Sequence, residues 1–166
     1  LPENMLLLLT GGLLPSGQGA GIVNVYSPQL NIFADTDNFW HCAESASGAD
    51  LMYFDPAHPV WGTTRQVFNL DGNPVDLQTG VAASDVVIPV TASGSGLGAK
   101  ITMAKRYGNL TYGSTWTIVA DPHTGTGSGF VQVYSWITNN KSVPAQVGFR
   151  LELDVQLIDL PRDDAF

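Results

Sequence analysis

The chain predicts an all-β fold, an antiparallel β-sandwich or jelly roll of about eight or nine strands carrying an extended N-terminal arm. Apolar residues alternate at period two in run after run, clusters of Gly, Pro, Asn and Asp separate the runs, and no amphipathic stretch of helical period is sustained. At 166 residues the chain is one domain, long enough to bury a core without metals or disulfides, and its single cysteine, Cys42, excludes an intrachain bridge.

Residues 1–20 form the arm. Leu6, Leu7, Leu8, Leu9, Leu13 and Leu14 are too apolar to be left in water, whereas Gly11, Gly12, Gly17 and Gly19 make the segment too flexible to fold alone. A neighbouring subunit is the expected acceptor. The run from Met5 to Leu14 is half a bilayer span and has no basic residue before it, so it reads as neither a membrane helix nor a signal peptide.

Residues 21–160 form the body. Strands are expected over Ala20 to Tyr26, Gln29 to Ala34, Arg65 to Leu70, Asp85 to Thr91, Lys100 to Tyr107 and Ser114 to Ala120, all enriched in Val, Ile, Thr and aromatics. Phe130 to Thr138 carries bulk on both alternating faces, which predicts a strand covered on both sides. From Val147 to Leu157, the odd-numbered Val147, Phe149, Leu151, Leu153, Val155 and Leu157 alternate with polar residues and glycine. That pattern predicts a long central strand with its odd side chains in the core. Asp37 to Ala46 is the one candidate helix, with Asp37 as N-cap. Residues 161–166 read as a short acidic tail.

Charge narrows the partners. Seven basic residues against fifteen acidic ones leave −8 at pH 7, and the basic ones are scattered, so nucleic acid and anionic membrane surfaces are poor partners. The most tempting motif is Val86 to Val90 running into Gly94-Ser95-Gly96-Leu97-Gly98-Ala99, a strand followed by a G-x-G-x-x-A loop. Dinucleotide binding requires a helix next, but Gly108-Asn109 stops the following segment after about two turns, so an interstrand loop is the better reading.

Other chemistries find no complete signature. His58 and His123 follow Asp-Pro turn starters, and His41, His58, His123 and Cys42 lack zinc spacing. No serine stands in a nucleophile elbow, and Cys42, among Phe39, Trp40 and Ala43, reads as a small buried residue. Asp35, Asp37, Asp71 and Asp76 offer oxygen ligands without a complete calcium loop. The chain is therefore expected to be non-enzymatic, with no cofactor and no metal. Of the four tryptophans, Trp116 and Trp136 are expected inside, while Trp61, in a loop after Pro59-Val60, could stack a sugar ring.

In size, acidity, lack of disulfides, glycine-rich arm and strand-rich body, the chain resembles the decoration (cement) proteins of tailed-phage capsids. That resemblance implies a homo-oligomer, in trimers by preference, seated on a major capsid protein at the virion surface. The alternative expectation is an extracellular carbohydrate-binding module using Trp61.

Overall fold

The computed structural model describes residues 23–35, 40–49, 51, 65–70, 73–76 and 85–152. Ten strands occur among them: β1 (Val23–Tyr26), β2 (Leu30–Ala34), β3 (Trp40–Glu44), β4 (Arg65–Leu70), β5 (Asn73–Asp76), β6 (Asp85–Ser93), β7 (Lys100–Tyr107), β8 (Leu110–Val119), β9 (Phe130–Asn139) and β10 (Val147–Glu152). All pair antiparallel, in three sheets ordered β1-β2-β3, β10-β4-β5 and β6-β7-β8-β9, and no helix occurs among the described residues. The all-β, antiparallel expectation is met, and the packing of sheets on one another is that of a sandwich.

The four-stranded sheet is the platform. Residues opposite one another in an antiparallel pair share a face, so the pairs Ile101↔Trp116, Trp116↔Val133 and Ile118↔Val131 place these side chains together on an inner face. Trp116 and Ile118 pack there with Val25, Leu30, Ile32, Ala34, Trp40 and Cys42 of the first sheet. Farther along the same face, Tyr107, Leu110 and Tyr112 enclose Phe68 of β4, with Ile137 against them. Two small sheets thus cover two halves of one face of a larger one.

Between the halves lies a buried hydroxyl cluster. Tyr112 Oη is 2.6 Å from Ser114 Oγ and 3.2 Å from Ser135 Oγ, and the two serines are 2.7 Å apart. Each hydroxyl satisfies another, so the polar atoms are tolerated in the core. Burial raises the Tyr112 phenol above its ordinary value of 10.0, against smaller opposing pulls from its bonds to Ser114 and Ser135. The folded protein therefore keeps this proton to higher pH than the unfolded chain does. Its contribution to stability is complete below about pH 10 and declines as pH rises from there through the folded value. A melting-temperature profile in alkali should fall more steeply for the wild type than for Tyr112→Phe; parallel profiles would show that Tyr112 ionises freely.

Loops fasten the sheets together. Buried Ser27, between β1 and β2, donates to the Ser128 carbonyl at 2.7 Å and accepts from Leu30 N at 3.0 Å. The Gln29 side chain, in turn, accepts from the Ser128 amide and hydroxyl. The first hairpin is thereby tied to the β8–β9 loop, residues 120–129.

Two elements depart from the sequence reading. Within the candidate helix of Asp37 to Ala46, residues Trp40–Glu44 are strand β3, whose Trp40 and Cys42 enter the core while the strand pairs with β2 from Ala34↔Trp40 to Leu30↔Glu44. A tertiary partner outweighs a weak local capping signal. The strand expected to be central, β10, lies at the end of its sheet among the described residues, with β4 in the middle. Its odd face points the expected way, since Phe149 lies opposite Phe68 and stacks on Tyr112 at 6.3 Å, yet Phe149 remains 46% exposed. Alternation reports which face is covered, not how many strands flank it. Leu153, Val155 and Leu157, the arm of residues 1–20 and the tail of residues 161–166 lie outside the described residues.

Candidate functional site: the outer face of the four-stranded sheet

The even-numbered side chains of β9 form the opposite, outer face. Phe130, Gln132, Tyr134, Trp136 and Thr138 lie beside Val119, Thr117, Thr115, Gly113 and Thr111 of β8. Their arrangement follows from one small residue. A Cβ on Gly113 would collide with the indole of Trp136, including its Nε1 at 2.7 Å, so Trp136 lies across the glycine and is half-buried there. Ala104, the next residue across the sheet from Gly113, is also buried. The ring fills the space that a side chain on Gly113 would need.

Beyond Trp136 the aromatics stand in solvent. Tyr134 is 64% exposed and Phe130 44% exposed. Strand β9 is therefore not covered on both sides, as the bulk on its two faces predicts, and Trp136 lies on the outside. Trp116 is fully buried as expected. Period-two bulk cannot distinguish a second core from an exposed aromatic face, because both use the same residues.

Threonines floor the rest of the face. Thr115 and Thr117 are half-buried, and the hydroxyls of Thr102 and Thr115 approach to 3.4 Å. Neither β8 nor β9 contains an Asp, Glu, Lys or Arg. In a chain of net charge −8 the β8–β9 half of this face is uncharged, aromatic and hydroxyl-bearing, while Lys100 and Arg106 of β7 stand opposite Thr117 and Thr111 at its other side. The uncharged half has the composition of an interface centre, where aromatics are enriched and charges depleted.

The remaining candidates disperse. The glycine loop joins β6 to antiparallel β7 and is pinned by Gly96 N to the Tyr26 carbonyl at 2.8 Å and Gly98 N to the Ile118 carbonyl at 2.9 Å. Gly94, Gly96 and Gly98 all have positive φ, as a turn between two antiparallel strands requires, in line with the interstrand-loop reading. His123 sits exposed in a turn where its amide donates to Asp121 Oδ1 at 2.8 Å, as its Asp-Pro context predicts. His41 and Cys42 are adjacent, buried residues of β3. Among the described residues no three His, Cys, Asp or Glu side chains come together as a metal site. His58, Trp61, Asp37, Asp71, and the arm leucines Leu6 to Leu9, Leu13 and Leu14 lie outside the described residues. Nothing in the spacing of the sequence marked the outer face; the cue was the Gly113 and Trp136 pair, legible only once β8 and β9 are in register.

Compared with protein-family models, with curated proteins and with solved structures, the chain finds no match in any of the three.

Proposed function

We propose that this is a non-enzymatic assembly domain whose outer sheet face binds another protein subunit. One observation carries the reading: an acidic chain leaves Phe130 and Tyr134 exposed at one side of a face where the adjacent strands β8 and β9 hold no charge. Exposed aromatics in water are an aggregation hazard unless covered, and uncharged faces let like-charged subunits approach. The finer form of the reading is a virion decoration protein that stabilises a particle through subunit contacts. That form draws on general character: size, acidity and a strand-rich body.

A second reading uses the same face. Tyr134 beside the Thr115 hydroxyl is also a sugar-stacking arrangement, so a carbohydrate-binding module is the alternative, now centred on Tyr134.

One experiment separates the two. Sedimentation velocity of the wild type and of Phe130→Ser/Tyr134→Ser reads association, and retention on cellulose, chitin and agarose reads sugar binding. Assembly through the face requires wild-type oligomers that become smaller in the double variant while its melting temperature stays within a few degrees of wild type. A wild-type monomer retained on a polysaccharide through Tyr134 would replace assembly with carbohydrate recognition.

A further inference from the structure

We infer that β9 pairs edge to edge, antiparallel, with β9 of a second copy of this chain, joining two four-stranded sheets into one of eight. The inference rests on the assembly reading and goes beyond it: two copies join through the β9 edge, and their outer faces stay open to a further subunit.

The direction of each backbone group on β9 follows from the β8 hydrogen bonds. Ile118 N donates to the Ala99 carbonyl and the Ile118 carbonyl accepts from Gly98 N, both at 2.9 Å, so even-numbered residues of β8 turn their backbone toward β7. In an antiparallel ladder a residue's N–H and C=O point to the same side, and successive residues alternate. The odd residues of β8 therefore face β9, and their partners Phe130, Gln132, Tyr134, Trp136 and Thr138 face back. Val131, Val133, Ser135 and Ile137 direct their N–H and C=O groups away from the sheet. Among the described residues none pairs with that edge.

Other sheet edges are blunted. Strand β6, at the opposite side of the same sheet, carries Pro89, two register shifts and the neighbouring β1. The outer edge of β3 is capped by Leu51 N donating to the Cys42 carbonyl at 3.0 Å. Strands β1 and β5 have four residues each, with Pro74 in β5, and β10 carries Arg150 and Glu152. These are the devices by which sheets avoid edge pairing. Strand β9 has none of them: it is ten residues long, paired with β8 without a shift, and free of Pro, Gly and charge.

The second copy is favoured as occupant by charge and by symmetry. At −8 per chain, two copies repel except through an uncharged element, and β9 is one. An antiparallel strand pair has a two-fold axis perpendicular to the sheet, so β9 is complementary to itself. Even residues then lie opposite even residues, and Phe130, Tyr134 and Trp136 of both copies share one continuous outer face. This pairing builds even-numbered assemblies, in place of the trimers that the cement-protein resemblance implies.

The experiment is amide hydrogen exchange on the wild-type chain over a wide range of protein concentration, alongside sedimentation of Val133→Pro and Val133→Ala. Val133→Pro removes only an outward N–H, which an edge strand accommodates, and Val133→Ala controls for the shortened side chain. The expected result is exchange slowed roughly tenfold or more at Val131, Val133, Ser135 and Ile137 as concentration rises, while Gln132, Tyr134 and Trp136 are protected throughout. Val133→Pro should dimerise about tenfold or more weakly and Val133→Ala like wild type. Association that persists in Val133→Pro without protection of the odd-numbered amides, yet is lost in Phe130→Ser/Tyr134→Ser, overturns edge pairing and leaves the face as the assembly surface. A wild type monomeric at every concentration overturns both readings.

Discussion

Trp116→Ala should lower the melting temperature by about 6 to 20 °C, the largest single-residue effect expected in this domain. Trp116 is fully buried, its indole lies 6.1 Å from that of Trp40, and it joins the first sheet to the platform. Removing a buried Trp typically costs about 3–5 kcal/mol, from lost transfer energy and from the cavity left behind, against a total stability of about 5–15 kcal/mol. One contribution has the opposite sign. Among the described residues the buried indole nitrogens of Trp40 and Trp116 have no acceptor, and an unsatisfied buried donor costs about 1–3 kcal/mol. Trp116→Phe keeps a ring and removes that donor, so it should lose less than half of what the alanine variant loses. Thermal unfolding of both variants checks this ordering. Equal losses would mean that the N–H carries no penalty, and an unchanged melting temperature in Trp116→Ala would displace Trp116 from the core.

The second large effect is expected at Gly113. In Gly113→Ala the new methyl occupies the place of the Trp136 ring. The backbone there is an ordinary strand in the middle of a register without shifts, so the substitution adds no dihedral strain and the cost is steric. Trp136 must lift from the sheet. Overpacking of this kind costs about 1–3 kcal/mol. Trp136 should also become more solvent-exposed, and its fluorescence should shift to longer wavelength. A double-mutant cycle identifies the cause: adding Trp136→Ala to Gly113→Ala should cost less than Trp136→Ala costs alone, because the ring has already lost its seat. Additive losses would show that glycine and indole do not contact one another. The same cycle bears on assembly, since raising Trp136 changes the shape of the outer face without adding charge.

Much of the architecture was legible in the chain. Alternation from Lys100 to Tyr107 and from Ser114 to Ala120 marked β7 and β8, and turn residues marked their ends, because period-two patterning and turn chemistry are local. Burial of Cys42 and Trp116 and the harmless turn around His123 were equally readable from their neighbours. The strand at Trp40–Glu44 was not, since its capping signal is local while its decisive partner, β2, is supplied by folding.

The residues of the candidate site show the limit more sharply. Sequence alone determined that this is an acidic all-β chain, that β8 and β9 are uncharged, and that Phe130, Tyr134 and Trp136 share a face. Tertiary structure alone decided which face of β9 meets the core, because most of the strands that cover it, β1 to β5, come from far earlier in the chain. It also decided that β9 ends its sheet, since strand order is set by long-range pairing and leaves no periodic mark on a single strand. The physical reason is the same in both cases. A side chain's preference for burial is local, whereas what buries it, or leaves an edge open, depends on contacts between distant segments.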